Sequence, residues 1–195
     1  MSENNIIVVG IFVVDLAFVA SKLPMPGETI IGDNYIIGPG GKGSNQSVAI
    51  SRSGGKASLI ARIGDDQFGE VGRNLYQKEN VYTEGLIIAK GEKTGSAAIS
   101  IDKNGMNSIV VVPSAASGLK KSMIDEKLHL FRKSSIMVTG FEVPLDIASY
   151  CLKKAKSKGL ITILNPAPYF DIDNTNFKLV DYLTPNEHEA SSLTK

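Results

Sequence analysis

Short β-rich apolar runs alternate with helix-forming segments along most of this chain, and that alternation leaves few folds open. Ile6–Val9 is continuous and β-branched, the pattern of a strand buried on both faces. Ser44–Arg52 reads as a helix closed by Gly54-Gly55, Ala57–Ile63 as the next strand and Gln67–Glu79 as the next helix. Then come strand Ile136–Thr139, helix Leu145–Lys158 with a Lys-rich last turn stopped by Gly159, and strand Leu160–Leu164 ended by Asn165-Pro166. A short strand, Tyr182–Thr184, ends at Pro185, and a helix begins over Glu187–Leu193. Such alternation predicts an α/β fold: a doubly wound, mostly parallel sheet flanked by helices on both faces.

One stretch breaks the rhythm. Thr94–Asp102 and Ser108–Pro113 are β-like and are joined by Lys103-Asn104-Gly105, where Asn-Gly between two such runs signals a hairpin. Val13–Ala20 and Thr29–Ile37 are candidates to pair with it, giving a small separate sheet, a lid, with strands about 13–20, 29–37 and 94–113. The 195 residues suffice for one domain with its own core.

Charge narrows the function. With 21 Lys+Arg against 20 Asp+Glu, the chain lacks the basic face that a nucleic-acid groove or an anionic membrane surface requires. Its one cysteine, Cys151, has no internal partner and fits a reducing compartment. Ile6–Ala20 is apolar, but it carries Asp15, follows no basic residue and is shorter than the ~20 residues of a spanning helix. The expected address is the cytoplasm.

The densest chemical signal is Gly38-Pro-Gly-Gly-Lys-Gly-Ser-Asn45. Glycines let backbone approach a ligand, the helix start behind them offers N–H groups, Lys42 adds a donor, and Asn45 both donates and accepts. A phosphate-binding P-loop needs Ser or Thr after the lysine, and Gly43 stands there. Gly38-x-Gly40-x-x-Gly43 fits a dinucleotide fingerprint, with Asp65 and Asp66 about 20 residues on, but it does not follow the first strand and contains Pro39. A third reading is a sugar site, with glycine amides, Lys42 and Asn45 meeting hydroxyls.

Gly40-Gly-Lys-Gly-Ser-Asn-Gln-Ser-Val-Ala49, followed by Ser53-Gly54-Gly55 and Ile63-Gly-Asp-Asp-Gln-Phe-Gly69, closely resembles the first signature of the ribokinase-like (PfkB-type) sugar kinases. Pro26-Gly-Glu-Thr29 upstream, and Asn165-Pro-Ala-Pro168 and Thr184-Pro-Asn-Glu-His-Glu-Ala190 downstream, match the family in order, so the resemblance runs from about Ile7 to Lys195. It implies a ribokinase-like fold with a β-sheet lid and ATP-dependent phosphorylation of a sugar hydroxyl. It further implies Mg²⁺, a monovalent cation for the complete protein, and a homodimer formed through the lids. By resemblance, Asp15, Gly41, Lys42, Gly43, Asn45 and Glu142 are sugar-binding, Asn186 serves the nucleotide and Glu189 reaches the metal through water. Carboxylate oxygens suit Mg²⁺, which keeps most of its waters. Asn165 is read as a strand-end turn, and His129, His188 and Cys151 as surface or packing residues.

The chain departs from the family pattern in three places. Val13 stands where ribokinases usually have Asn, and Ser114-Ala115-Ala116 where Gly-Ala-Asn is usual, which leaves the identity of the sugar open. The third departure concerns the second family signature, a Gly-Ala-Gly-Asp run that supplies the catalytic base and an anion hole. That run does not occur here, so no catalytic residue is assigned. The expectation is an incomplete ribokinase-like domain over 1–195 that carries the sugar site and the start of the nucleotide site. The competing readings are a non-catalytic sugar-binding or interaction module and a nicotinamide-dependent oxidoreductase.

Overall fold

The computed structural model describes residues 5–170 and 177–194; the outermost residues of the expected domain, 1–4 and 195, lie outside it. Six parallel strands form the main sheet: β1 (Asn5–Val9), β4 (Lys56–Gly64), β5 (Leu86–Ala89), β8 (Ile136–Gly140), β9 (Ile161–Asn165) and β10 (Tyr182–Leu183). Their spatial order is β10-β9-β8-β1-β4-β5. β1 shows why the continuous apolar run was needed. Ile7 and Val9 pack in one cluster with Ile147, Ala148, Cys151 and Leu152 of α5 (Leu145–Ser157), while Val8 packs in a second with Leu59, Ile63 and Tyr76 of α2 (Gln67–Lys78). Alternate side chains of one strand thus fill cores on opposite faces. α1 (Lys42–Arg52) lies against β1, β4 and β8. Among the described residues there are three shorter α-helices, α3 (Lys121–Asp125), α4 (Leu128–Arg132) and α6 (Glu187–Leu193), and two short 3-10 helices, Ser114–Gly118 and Phe177–Leu179. No described helix is long and apolar enough to cross a membrane.

The second sheet consists of β2 (Val13–Val19), β3 (Asn34–Gly40), β6 (Gly95–Ile101) and β7 (Asn107–Val112), in the order β3-β2-β6-β7. β6 and β7 form the hairpin expected from Asn-Gly; Asp102 Oδ1 accepts from the Asn104 and Met106 N–H groups across its turn. β3 differs from expectation. It spans 34–40 instead of 29–37 and absorbs Gly38-Pro39-Gly40 into a strand. β3 is an edge strand, and there the missing proline N–H disrupts no inner ladder. Helix α1 correspondingly starts at Lys42, two residues before the expected Ser44.

Candidate functional site

The parallel strands aim their carboxyl ends at one edge of the sheet, where α/β folds bind ligands. There β1 turns through Gly10 into β2, and β3 turns through Gly41 into α1. These two crossings are packed backbone to backbone. A Cβ on Gly43 would lie 2.5 Å from the Gly10 Cα, and one on Gly41, whose φ is 89°, would lie 2.5 Å from the Ile11 carbonyl oxygen. The glycines of this run therefore seat the loop against the β1–β2 crossing. Behind it, the Tyr76 hydroxyl bonds the Ser44 Oγ at 3.0 Å with both residues fully buried, and Ser47 Oγ donates to the Gly43 carbonyl.

Glu142, just past β8, reaches the same loop. Its Oε2 accepts from the Lys42 backbone N–H at 2.7 Å and its Oε1 lies 3.1 Å from Lys42 Nζ, so it caps the start of α1. The helix amide that the sequence left open to a ligand is occupied by this carboxylate, which is also favoured there by the helix dipole. Asp15 is the second carboxylate. It is half-buried on the β2 strand, and Gly40 makes room for it, since a Cβ there would stand 2.2 Å from Asp15 Oδ1. Burial, and then the nearby Glu142 charge, push the Asp15 carboxyl above its usual range. Among the described residues neither the Asp15 carboxylate nor the exposed Asn45 amide has a hydrogen-bond partner, whereas Lys42 and Glu142 hold each other. Asp15, Gly41, Lys42, Gly43, Asn45 and Glu142 thus gather at one place, with two polar side chains unengaged.

Asn186 and Glu189 lie beyond β10, three strands from β1 and so about 14 Å along the sheet edge at normal strand spacing. They form a capping box at the start of α6. Asn186 Oδ1 accepts from the Glu189 N–H at 2.8 Å, and Glu189 Oε2 accepts from the Asn186 N–H at 2.9 Å. Glu189 is buried and its Oε1 makes no hydrogen bond among the described residues, and no cluster of three or more metal-ligating side chains exists among them. Asn165, read as a strand-end turn, is the last residue of β9, and its Nδ2 donates to the Thr184 carbonyl at 2.7 Å, tying that end to the chain just past β10. Cys151 is buried, and its thiol is pushed up to about 12, which makes it unreactive core. His129 pairs with Glu84 at 2.8 Å, far from the loop in sequence and at a helix that packs elsewhere.

Of three contributors outside the expected residues, two carry little sequence signal. Gly10 and Tyr76 look like an ordinary turn glycine and core aromatic until the packing shows what they touch. Arg62 does carry one, as a charge inside the apolar run Ala57–Ile63. The dinucleotide fingerprint does not survive the geometry: Gly38 and Gly40 lie in an antiparallel edge strand of the small sheet, not in the turn that follows β1.

The family model for pfkB family carbohydrate kinases matches residues 3–195. A ribokinase from Haemophilus influenzae is 37% identical over 169 residues, covering 87% of this chain and 55% of that protein. A ribokinase from Mus musculus is 33% identical over 190 residues, covering 97% of this chain and 59% of that protein. The chain therefore spans a little over half the length of these relatives. Among solved structures, the Arabidopsis thaliana ribokinase complexed with ribose and ATP superposes with a TM-score of 0.89 at 28% identity, covering 98% of this chain and 63% of that one.

Proposed function

This chain belongs to the pfkB family of carbohydrate kinases, and from that premise we propose that the site between the small sheet and the start of α1 binds the sugar whose hydroxyl receives a phosphoryl group from ATP. The observation that carries this reading is the pair of unengaged polar groups, Asp15 and Asn45, beside a loop whose other polar members already hold one another. Asp15 accepts hydrogen bonds from sugar hydroxyls, and a partly desolvated carboxylate makes those bonds strong. Asn45 donates and accepts on the neighbouring side. Lys42 and Glu142 fix the loop and present the rest of their edges to the ring. Asn186 would serve the nucleotide phosphates, and Glu189 would hold a Mg²⁺ ion through water. When bound, that ion supplies charge neutralisation for the transferring phosphoryl group. Ribose is the first candidate sugar, with the apolar Val13 and Ala116 leaving related sugars open.

Sugar binding to the folded state alone raises stability by RT ln(1 + [L]/Kd), about 2.7 kcal/mol at a hundredfold excess over Kd. Thermal unfolding with increasing D-ribose is expected to show a rising, saturable midpoint. No rise with ribose, nor with any other pentose or hexose, would reject the reading.

The small sheet also presents apolar side chains to solvent. Val110 and Val112 of β7 are at least half exposed and by register share one face with the equally exposed Phe18 and Tyr35, while Ile109 and Val111 lie on the other. Such a face fits pairing with a second copy, a homodimer joined through the lids. Sedimentation is expected to give a dimer that Val110→Lys converts to a monomer; a monomeric unsubstituted chain would contradict this.

A further inference from the structure

We infer that Arg62 is a positioning residue that holds both roots of the β6–β7 hairpin and thereby sets the small sheet over the site. Arg62 lies in β4, within the rigid parallel sheet, and its side chain is only 11% exposed. Its Nη1 donates to the Ala115 carbonyl at 2.6 Å and to Glu92 Oε2 at 2.7 Å, and its Nη2 donates to the other Glu92 oxygen. Glu92 belongs to the segment between β5 and β6, and Ala115 to the short 3-10 helix Ser114–Gly118 that follows β7. One guanidinium therefore grips the entry and the exit of the hairpin together.

The surroundings are shaped for it. A Cβ on Gly118 would stand 2.4 Å from Arg62 Nη1, so a larger residue there would require the guanidinium to shift from this pose. Among the described residues the buried Arg62 Nε–H has no partner, and the side chain adopts this pose despite that. The two roots are joined to each other by the Ala115 N–H to Lys93 carbonyl bond at 3.0 Å. Asp66 fastens the entry root from a second direction, accepting from the Thr94 N–H at 3.0 Å and from Thr94 Oγ1 at 2.6 Å. Lysine does not replace this fork, because an ammonium is a point donor and cannot bridge a carboxylate and a carbonyl in one plane.

Releasing the roots lowers the fraction of molecules with the hairpin in place. The apparent sugar affinity falls by that same fraction, with every contact at Asp15 and Asn45 intact. This consequence rests on the sugar-site reading; the clamp itself does not. Hydrogen exchange on the full 195-residue chain tests the clamp directly. In Arg62→Ala the amides of residues 95–112 are expected to exchange about tenfold faster, those of β1, β8 and β9 are expected to keep their rates, and Arg62→Lys is expected to restore only part of the protection. The dissociation constant for D-ribose is expected to rise about tenfold with unchanged stoichiometry. Unchanged exchange in the hairpin, or equal acceleration throughout the main sheet, overturns the clamp whatever ribose does. Selective hairpin exchange in a chain that binds no ribose upholds the clamp and rejects the sugar reading instead. Should Arg62→Ala fail to fold, Glu92→Gln opens one side of the fork and is held to the same hairpin-selective criterion.

Discussion

Gly43→Ala is expected to destabilise the chain by about 2 kcal/mol or more and to displace the loop that carries Lys42 and Asn45. Two effects oppose each other. Alanine is the better helix former by about 1 kcal/mol, and Gly43 lies in the first turn of α1. Against that, the added methyl would stand 2.5 Å from the Gly10 Cα and 3.1 Å from the Ile11 nitrogen. Both neighbours are backbone of the β1–β2 crossing and have no rotamer to yield. Overpacking of this kind costs about 1–3 kcal/mol even where side chains can move, so the clash outweighs the propensity. Gly38→Ala is the internal control: nothing lies within 4 Å of a Cβ there, and its change is expected to stay within about 0.5 kcal/mol. Thermal or urea unfolding of both variants checks this. A Gly43→Ala protein as stable as the parent would mean that the loop does not sit against the crossing.

Asp15→Asn is expected to separate stability from binding. Burial and the Glu142 carboxylate hold the Asp15 carboxyl above its usual range, so its ionised form is disfavoured in the folded chain relative to the unfolded one. For an acid with a raised folded pKa, the folded state binds more protons than the unfolded state between the two values. Stability is therefore gained as pH falls through the folded pKa, and the full cost of ionisation is present at neutral pH. The isosteric amide removes that cost. Asp15→Asn should unfold at a higher temperature than the parent at pH 7, with the advantage shrinking as pH falls towards the ordinary carboxylate range. Sugar affinity should move the other way. Losing charge from two hydroxyl bonds of about 1.5–3 kcal/mol each weakens binding roughly a hundredfold, at 1.4 kcal/mol per tenfold. A variant that is less stable at pH 7 and binds D-ribose as the parent does would remove Asp15 from the site.

Much of this architecture is legible before any coordinates, because the signals are local. The continuous apolar β1, the Lys-rich end of α5 with Gly159 behind it, and the Asn104-Gly105 turn each identify their element within a residue or two. What escapes is short or long-range. β5 has four residues and no alternation, and α3 and α4 have five each, too few for a helical period to register. Thr29–Ile37 looks like the strand, yet pairing with β2 selects Asn34–Gly40, since a register fixed by a neighbour overrides the low strand propensity of Gly-Pro-Gly. The site divides the same way. The residues proposed for it are readable from the glycine run and the family resemblance. The occupation of the first helix amide by Glu142, 100 residues away in sequence, is visible only in space. So is the capping box that engages Asn186 and Glu189 with each other.

Calorimetric titration of D-ribose into the parent chain, Asp15→Ala and Asn45→Ala addresses the location of the sugar site most directly. One saturable site in the parent and a loss of roughly a hundredfold or more in Asp15→Ala, with a smaller loss of about tenfold in Asn45→Ala, is the expected result. Unchanged binding in both variants would contradict it and would place the sugar elsewhere on the molecule.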